Sequence, residues 1–113
     1  MSAITYSTFD TVSLTTSAAN IYAMPNTAGT LGRNIQFQIS NITNAAVTVT
    51  LYRVPSGASA ADSNAFVKDL AIPASDYKII DVPRLSAADI VQGLASSASA
   101  INVNPYRGDE FNP

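Results

Sequence analysis

VTVTLYRVPSGASAADSNAFVKDLAIP, residues 47–73, decides the fold. Val47, Val49 and Leu51 alternate with Thr48, Thr50 and Tyr52, the two-residue period of a strand with one face against a core. Val54-Pro55-Ser56-Gly57 ends that run, because proline cannot donate to a ladder and Pro-Ser-Gly favours a turn. Residues 56–64, SGASAADSN, are nearly all small and predict a loop holding one short helical turn. Residues 65–72 then return to a strand with imperfect alternation. Phe66, Leu70 and Ile72 share a parity that Lys68 interrupts, which marks an edge position or a bulge. Pro73 stops it.

Working outward, residues 33–41 form the clearest strand, with Ile35, Phe37 and Ile39 set against Asn34, Gln36, Gln38 and Ser40. Only the turn-like residues 41–46 separate it from the run at 47–52, so the two predict an antiparallel pair. Residues 11–14 and 20–24 supply two weaker strands upstream. Downstream come strands at 77–82, closed by Pro83, at 89–95, and at 101–104 after a Ser/Ala turn at 96–100. Residues 86–94 also compete as a helix, since Ser86 precedes Asp89 at capping-box spacing. That box normally carries Glu or Gln, and Val91 and Gly93 disfavour helix, so strand is the expectation. Seven to eight short strands at a spacing of about ten residues predict an all-β domain, an antiparallel β-sandwich or jelly-roll-like barrel.

A chain of 113 residues supports one core, placed at 11–104. The flanks differ from it. Residues 1–10 form an N-terminal arm with Ile4, Tyr6 and Phe9 among small polar residues, and residues 105–113, PYRGDEFNP, form a C-terminal tail. Aromatics in a polar segment bury much apolar area with few rotors and can anchor an arm on a neighbouring subunit. The interface candidates are therefore Ile4, Tyr6, Phe9, Tyr106, Arg107 and Phe111; packing on the chain's own sandwich, or fraying, is the alternative.

Charged residues make up 12% of the chain, about half the usual share, so the surface is rich in hydroxyls and amides and cheap to desolvate. Much of it is expected to meet other protein subunits; a polar monomer low in charge is the alternative. The net charge of −2 and the scattering of Arg33, Arg53, Lys68, Lys78, Arg84 and Arg107 exclude a phosphate-tracking surface, so no nucleic-acid partner is expected. Without cysteine there is neither a disulfide framework nor a thiolate metal site. Residues 1–25 lack a basic start followed by an apolar stretch, and no run approaches a membrane span, so neither export nor a membrane partner is expected.

Catalytic chemistry has little to work with. Histidine is absent and Glu110 is the sole glutamate. Asp10, Asp62, Asp69, Asp76, Asp81, Asp89 and Asp109 fall mostly at strand ends and turns, where an aspartate bonds local backbone. A Ser-Lys dyad through Lys68 or Lys78 lacks a nucleophile elbow or oxyanion hole. The expectation is no enzyme, no cofactor and no catalytic or metal-binding residue; Asp62, Ser63 and Asn64 offer oxygen ligands without the acidic spacing of a calcium loop. Asn41-Ile42-Thr43 matches a glycosylation acceptor, and with no export expected the match reads as accidental. Arg107-Gly108-Asp109 spells an adhesion tripeptide but reads better as a turn between Tyr106 and Phe111.

The run TVTLYRVPSGASAADSNAFVKDLAIPA, residues 48–74, followed by LSAADIVQGLASSASAINV, residues 85–103, resembles small β-sandwich virion structural proteins of tailed bacteriophages. The likeness rests on an ordered series: a V-P-S-G loop, a D-S-N, an I-P-A turn and an L-x-A-x-D-x-x-Q segment before a Ser/Ala-rich turn. The chain departs from it at residues 23–29, where a tighter turn is expected, and in the added tail. The resemblance implies a capsid decoration, or cement, protein on the outer head shell, made in the host bacterial cytoplasm and carried in the virion. Its partners are then the major capsid protein or other virion subunits, and it forms a homo-oligomer, with a trimer the first expectation. The alternatives are a tail, collar or fibre-associated component, or a carbohydrate-binding adhesive module using Tyr22, Tyr52 or Tyr77 as its aromatic platform.

Overall fold

Alternating apolar residues give ten strands in the computed structural model, which describes residues 3–6 and 9–112. They are β1 (Ala3–Tyr6), β2 (Val12–Ser13), β3 (Ala19–Ala23), β4 (Leu31–Asn41), β5 (Val47–Val54), β6 (Ala65–Ile72), β7 (Tyr77–Asp81), β8 (Leu85–Ser86), β9 (Ile90–Ala95) and β10 (Ile101–Asn112). One turn of 3-10 helix, Asp62–Asn64, lies in the small-residue loop. The strands make two antiparallel sheets. The first runs β1-β10-β4-β7, with β2 paired to β10 and β8 to β4; the second runs β3-β9-β5-β6. The fold is all-β, a sandwich.

The core lies between the sheets. Phe37 and Ile39 of β4 and Ile101 and Val103 of β10 meet Ile21 of β3, Val49 and Leu51 of β5, Ile72 of β6 and Val91 of β9. Each such side chain contributes roughly 1.5–3 kcal/mol by leaving water. Phe9 closes one end of this layer, edge-on to Phe37 with ring centroids 5.1 Å apart and tilted against Tyr22 at 6.0 Å.

The hairpin read from residues 47–73 is present, with β6 at the edge of its sheet and two register shifts against β5. Residues 90–95 are strand, as expected over the competing helix. The antiparallel pair expected between residues 33–41 and 47–52 is not formed: β4 pairs with β10, β7 and β8, and β5 with β6 and β9. Asn41 is the reason. Its buried amide donates to the carbonyls of Ala45 at 2.8 Å and Ile72 at 3.0 Å and accepts from the Thr43 N–H at 2.9 Å. These bonds satisfy the backbone of a corner that carries the chain from one sheet to the other. The same burial makes Asn41 unsuited to glycosylation.

A second correction concerns the end of the chain. The strand expected at 101–104 continues through Pro105 to Asn112, so residues 106–111 are not a turn. Residues 3–6 and 105–112 of the two flanks lie in the first sheet, with Ile4 opposite Phe111 and Tyr6 opposite Asp109. Asp89, just before β9, links β8 of this sheet to β5 of the second. Its buried carboxylate accepts from the Ser86 N–H at 2.8 Å and from Arg53 Nη2 at 2.9 Å.

Candidate functional site

Regular sheets offer little chemistry, so irregular positions matter more. Along β10, Pro105 faces Phe37 and Arg107 faces Gln36 of β4, which leaves Tyr106 as an extra residue. A second slip follows at once: Asp109 faces Arg33, so Asn34 and Ile35 oppose Gly108 alone. Asn34 takes a left-handed conformation at φ 55°, which asparagine tolerates better than most residues. Bulges of this kind bend a strand and re-aim its side chains. Proline fits here because the ladder is already broken at that point.

Residues opposite one another in register share a face. Tyr6, Asp109 and Arg33 form one such row, and Arg107, Gln36 and Asp81 another. The alternate row carries Glu110 inward, where its carboxylate accepts from the hydroxyl of Tyr22 in the second sheet. The outer face of the first sheet therefore holds a cleft of about 730 Å³ lined by Tyr6, Asn34, Gln36, Tyr106, Arg107 and Asp109, together with Pro105 and Gly108. Tyr6 is 87% exposed and Tyr106 56%. Gln36 donates to Asp81 Oδ1 at 2.6 Å, which leaves its amide oxygen for other partners. Arg107 and Asp109 contribute one charge of each sign, and neither forms an ion pair among the described residues.

Of the six interface candidates, Tyr6, Tyr106 and Arg107 meet at this cleft. Ile4 and Phe111 sit opposite one another on the same face, with Ile4 58% exposed. Phe9 is half-buried against the chain's own core. The adhesion-like tripeptide lies within β10, paired to β4 through Arg107 and Asp109, so it is not displayed on a loop. Of the tyrosines named for an aromatic platform, Tyr22 and Tyr52 are buried at 7% and 8% exposure and Tyr77 alone is open; the exposed rings at the cleft are Tyr6 and Tyr106. Asn34, Gln36 and Asp109 were not among the sequence candidates. Only the outward parity of Asn34 and Gln36 hinted at them.

An ion pair lies away from the cleft. Asp62 takes the ammonium of Lys68 at 2.7 Å, a bond that holds the lysine's pKa above its ordinary value. Among the described residues no three His, Cys, Asp or Glu side chains gather as a metal site, and no helix is long and apolar enough to cross a membrane.

No family model matches this chain, and no curated protein matches it in sequence. A solved chain from Bacillus endospore appendages, described as a novel family of disulfide-linked pili, has a similar fold, with a TM-score of 0.55 over 98% of this chain and 88% of that one. The two are 12% identical, so the likeness is one of fold.

Proposed function

We propose that this chain is a structural subunit of a repeating protein assembly, and specifically a decoration subunit on the outer head shell of a tailed bacteriophage. It would be made in the bacterial cytoplasm and end in the virion, with the capsid protein and further copies of itself as partners and no catalytic role. The observation that carries the reading is an exterior poor in charge on a closed sandwich with an unguarded edge. Charged residues are 12% of the chain, and the edge strand β1 exposes Ile4, Thr5 and Tyr6 with no lysine, proline or bulge to deter pairing. The edges β6 and β7, by contrast, carry Lys68 and Lys78. Contacts made by the β1 edge use its free backbone groups and leave the face of the sheet uncovered.

Purified protein should form a defined oligomer by light scattering, a trimer on this reading, and bind phage shells that lack it. Ile4→Lys places a charge on the edge without touching the core and should abolish both. A protein that stays monomeric and ignores the shells ends the proposal. A second reading, a subunit of a surface appendage, is favoured by the fold shared with a pilus chain. This chain has no cysteine, so any such fibre would form without disulfides. Fibres of the pure protein under negative stain would favour that reading over the shell.

A further inference from the structure

We infer that the cleft on the outer face of the first sheet is a binding site for a neutral saccharide. The inference does not depend on where the chain is assembled, since it uses the face of the sheet and leaves the edges for subunit contacts. Its residue types are those a sugar needs. Tyr6 and Tyr106 present exposed rings against which the C–H face of a pyranose can stack, with the phenolic hydroxyls at hand for hydrogen bonds. Around them, Asn34 and Gln36 supply amide groups, Arg107 a planar fork of donors, and Asp109 a pair of acceptors, which together match vicinal hydroxyls that both donate and accept.

Other ligand classes fit less well. One arginine balanced by one aspartate gives no net field for a phosphate chain. An extended peptide would require a regular ladder to add to, yet at the cleft β10 carries Pro105, which has no N–H to offer, and two register shifts. A purely apolar molecule would meet charge and amides in an open cleft. The volume, about 730 Å³, falls within the range of small-molecule sites, roughly 300–1,000 Å³. The openness to solvent suits a short oligosaccharide that keeps one side hydrated. The site also coincides with the most irregular part of the sheet, where two bulges and a left-handed Asn34 replace regular pairing. Such departures concentrate where a protein binds or reacts.

The test is a titration of the full-length, isotope-labelled chain with maltotriose, cellotriose and triacetylchitotriose, followed by amide NMR shifts. At least one sugar should move the amides of residues 34–36 and 106–109 saturably. Tyr6→Ala and Tyr106→Ala should each weaken that binding about tenfold or more, the loss of one stacked ring. Tyr77→Ala, an exposed tyrosine outside the cleft, should leave it unchanged. Thermal unfolding of all three variants should match the parent, because these rings stand in solvent. The inference is overturned if no sugar moves those amides at up to about 10 mM, well above the dissociation constants of weak complexes. It is equally overturned if binding survives in both cleft variants, or if the same amides shift with protein concentration alone, which would make the cleft a contact between copies.

Discussion

Two glycines show how closely single residues are held. A Cβ on Gly93 would stand 2.8 Å from Leu51 Cδ2 and 2.9 Å from Ile21 Cδ1, both in the core of the second sheet. Gly57 has φ +80° in its turn, and a Cβ there would meet nothing within 4 Å. The two positions therefore resist alanine for different reasons, crowding in one and backbone conformation in the other. Gly93→Ala should cost about 1–3 kcal/mol as an overpacked core. Gly57→Ala should cost about 1–2 kcal/mol from the left-handed penalty. Urea denaturation distinguishes the causes through a second substitution. Ile21→Val removes the Cδ1 atom that the new methyl would strike, so it should recover part of the Gly93→Ala loss and none of the Gly57→Ala loss.

Elements show which parts of the fold were legible in residues and which were not. The hairpin of β5 and β6 could be read, down to the disturbed edge, because Lys68 broke the alternation and Asp69 does adopt a left-handed conformation at φ 49°. The partner of β4 could not. Alternation shows that a strand has an inner face, whereas the sheet it joins depends on contacts far away in sequence. Here Asn41 turns the chain out of one sheet and into the other. Pro105 misled for a related reason. A proline normally ends a ladder, but here it sits beside the extra residue Tyr106, where the register shifts, and β10 runs on. The cleft shares this history, since Tyr6, Asn34 and Tyr106 meet only through register between distant strands. Lys68 offers a test at this scale. Its side chain is exposed, and the hydrogen bond to Asp62 raises its pKa. The stabilisation this gives is complete below the ordinary lysine range and fades as pH rises through the raised value. Solvent screens such a pair, so Lys68→Ala should leave the urea midpoint at pH 7 unchanged. It should, however, unguard the β6 edge and increase self-association by light scattering at high protein concentration.

For the whole molecule, the question is what association has left to gain. The folded chain exposes 5983 Å², against about 5,900 Å² for a monomer of this mass. Its radius of gyration of 13.9 Å is near the roughly 13 Å of a compact domain this long, drawn out to 49 × 25 × 18 Å. The core is thus complete without neighbours, and contacts between subunits draw on the exterior alone. That exterior holds few charges, six basic and eight acidic residues in the chain, and the β1 edge where contact is proposed carries none. Binding driven by such surfaces comes from apolar burial and backbone pairing, which salt barely screens, whereas attraction between opposite charges weakens once the Debye length contracts. Affinity for the shell, or for further copies, should therefore change no more than about twofold between roughly 0.05 and 0.5 M sodium chloride. Sedimentation of the protein with shells across that range measures it. A loss of about tenfold would show that the scattered charges direct assembly, and the contact surface would then have to be sought around Arg33, Arg84 and Lys78 instead of along β1.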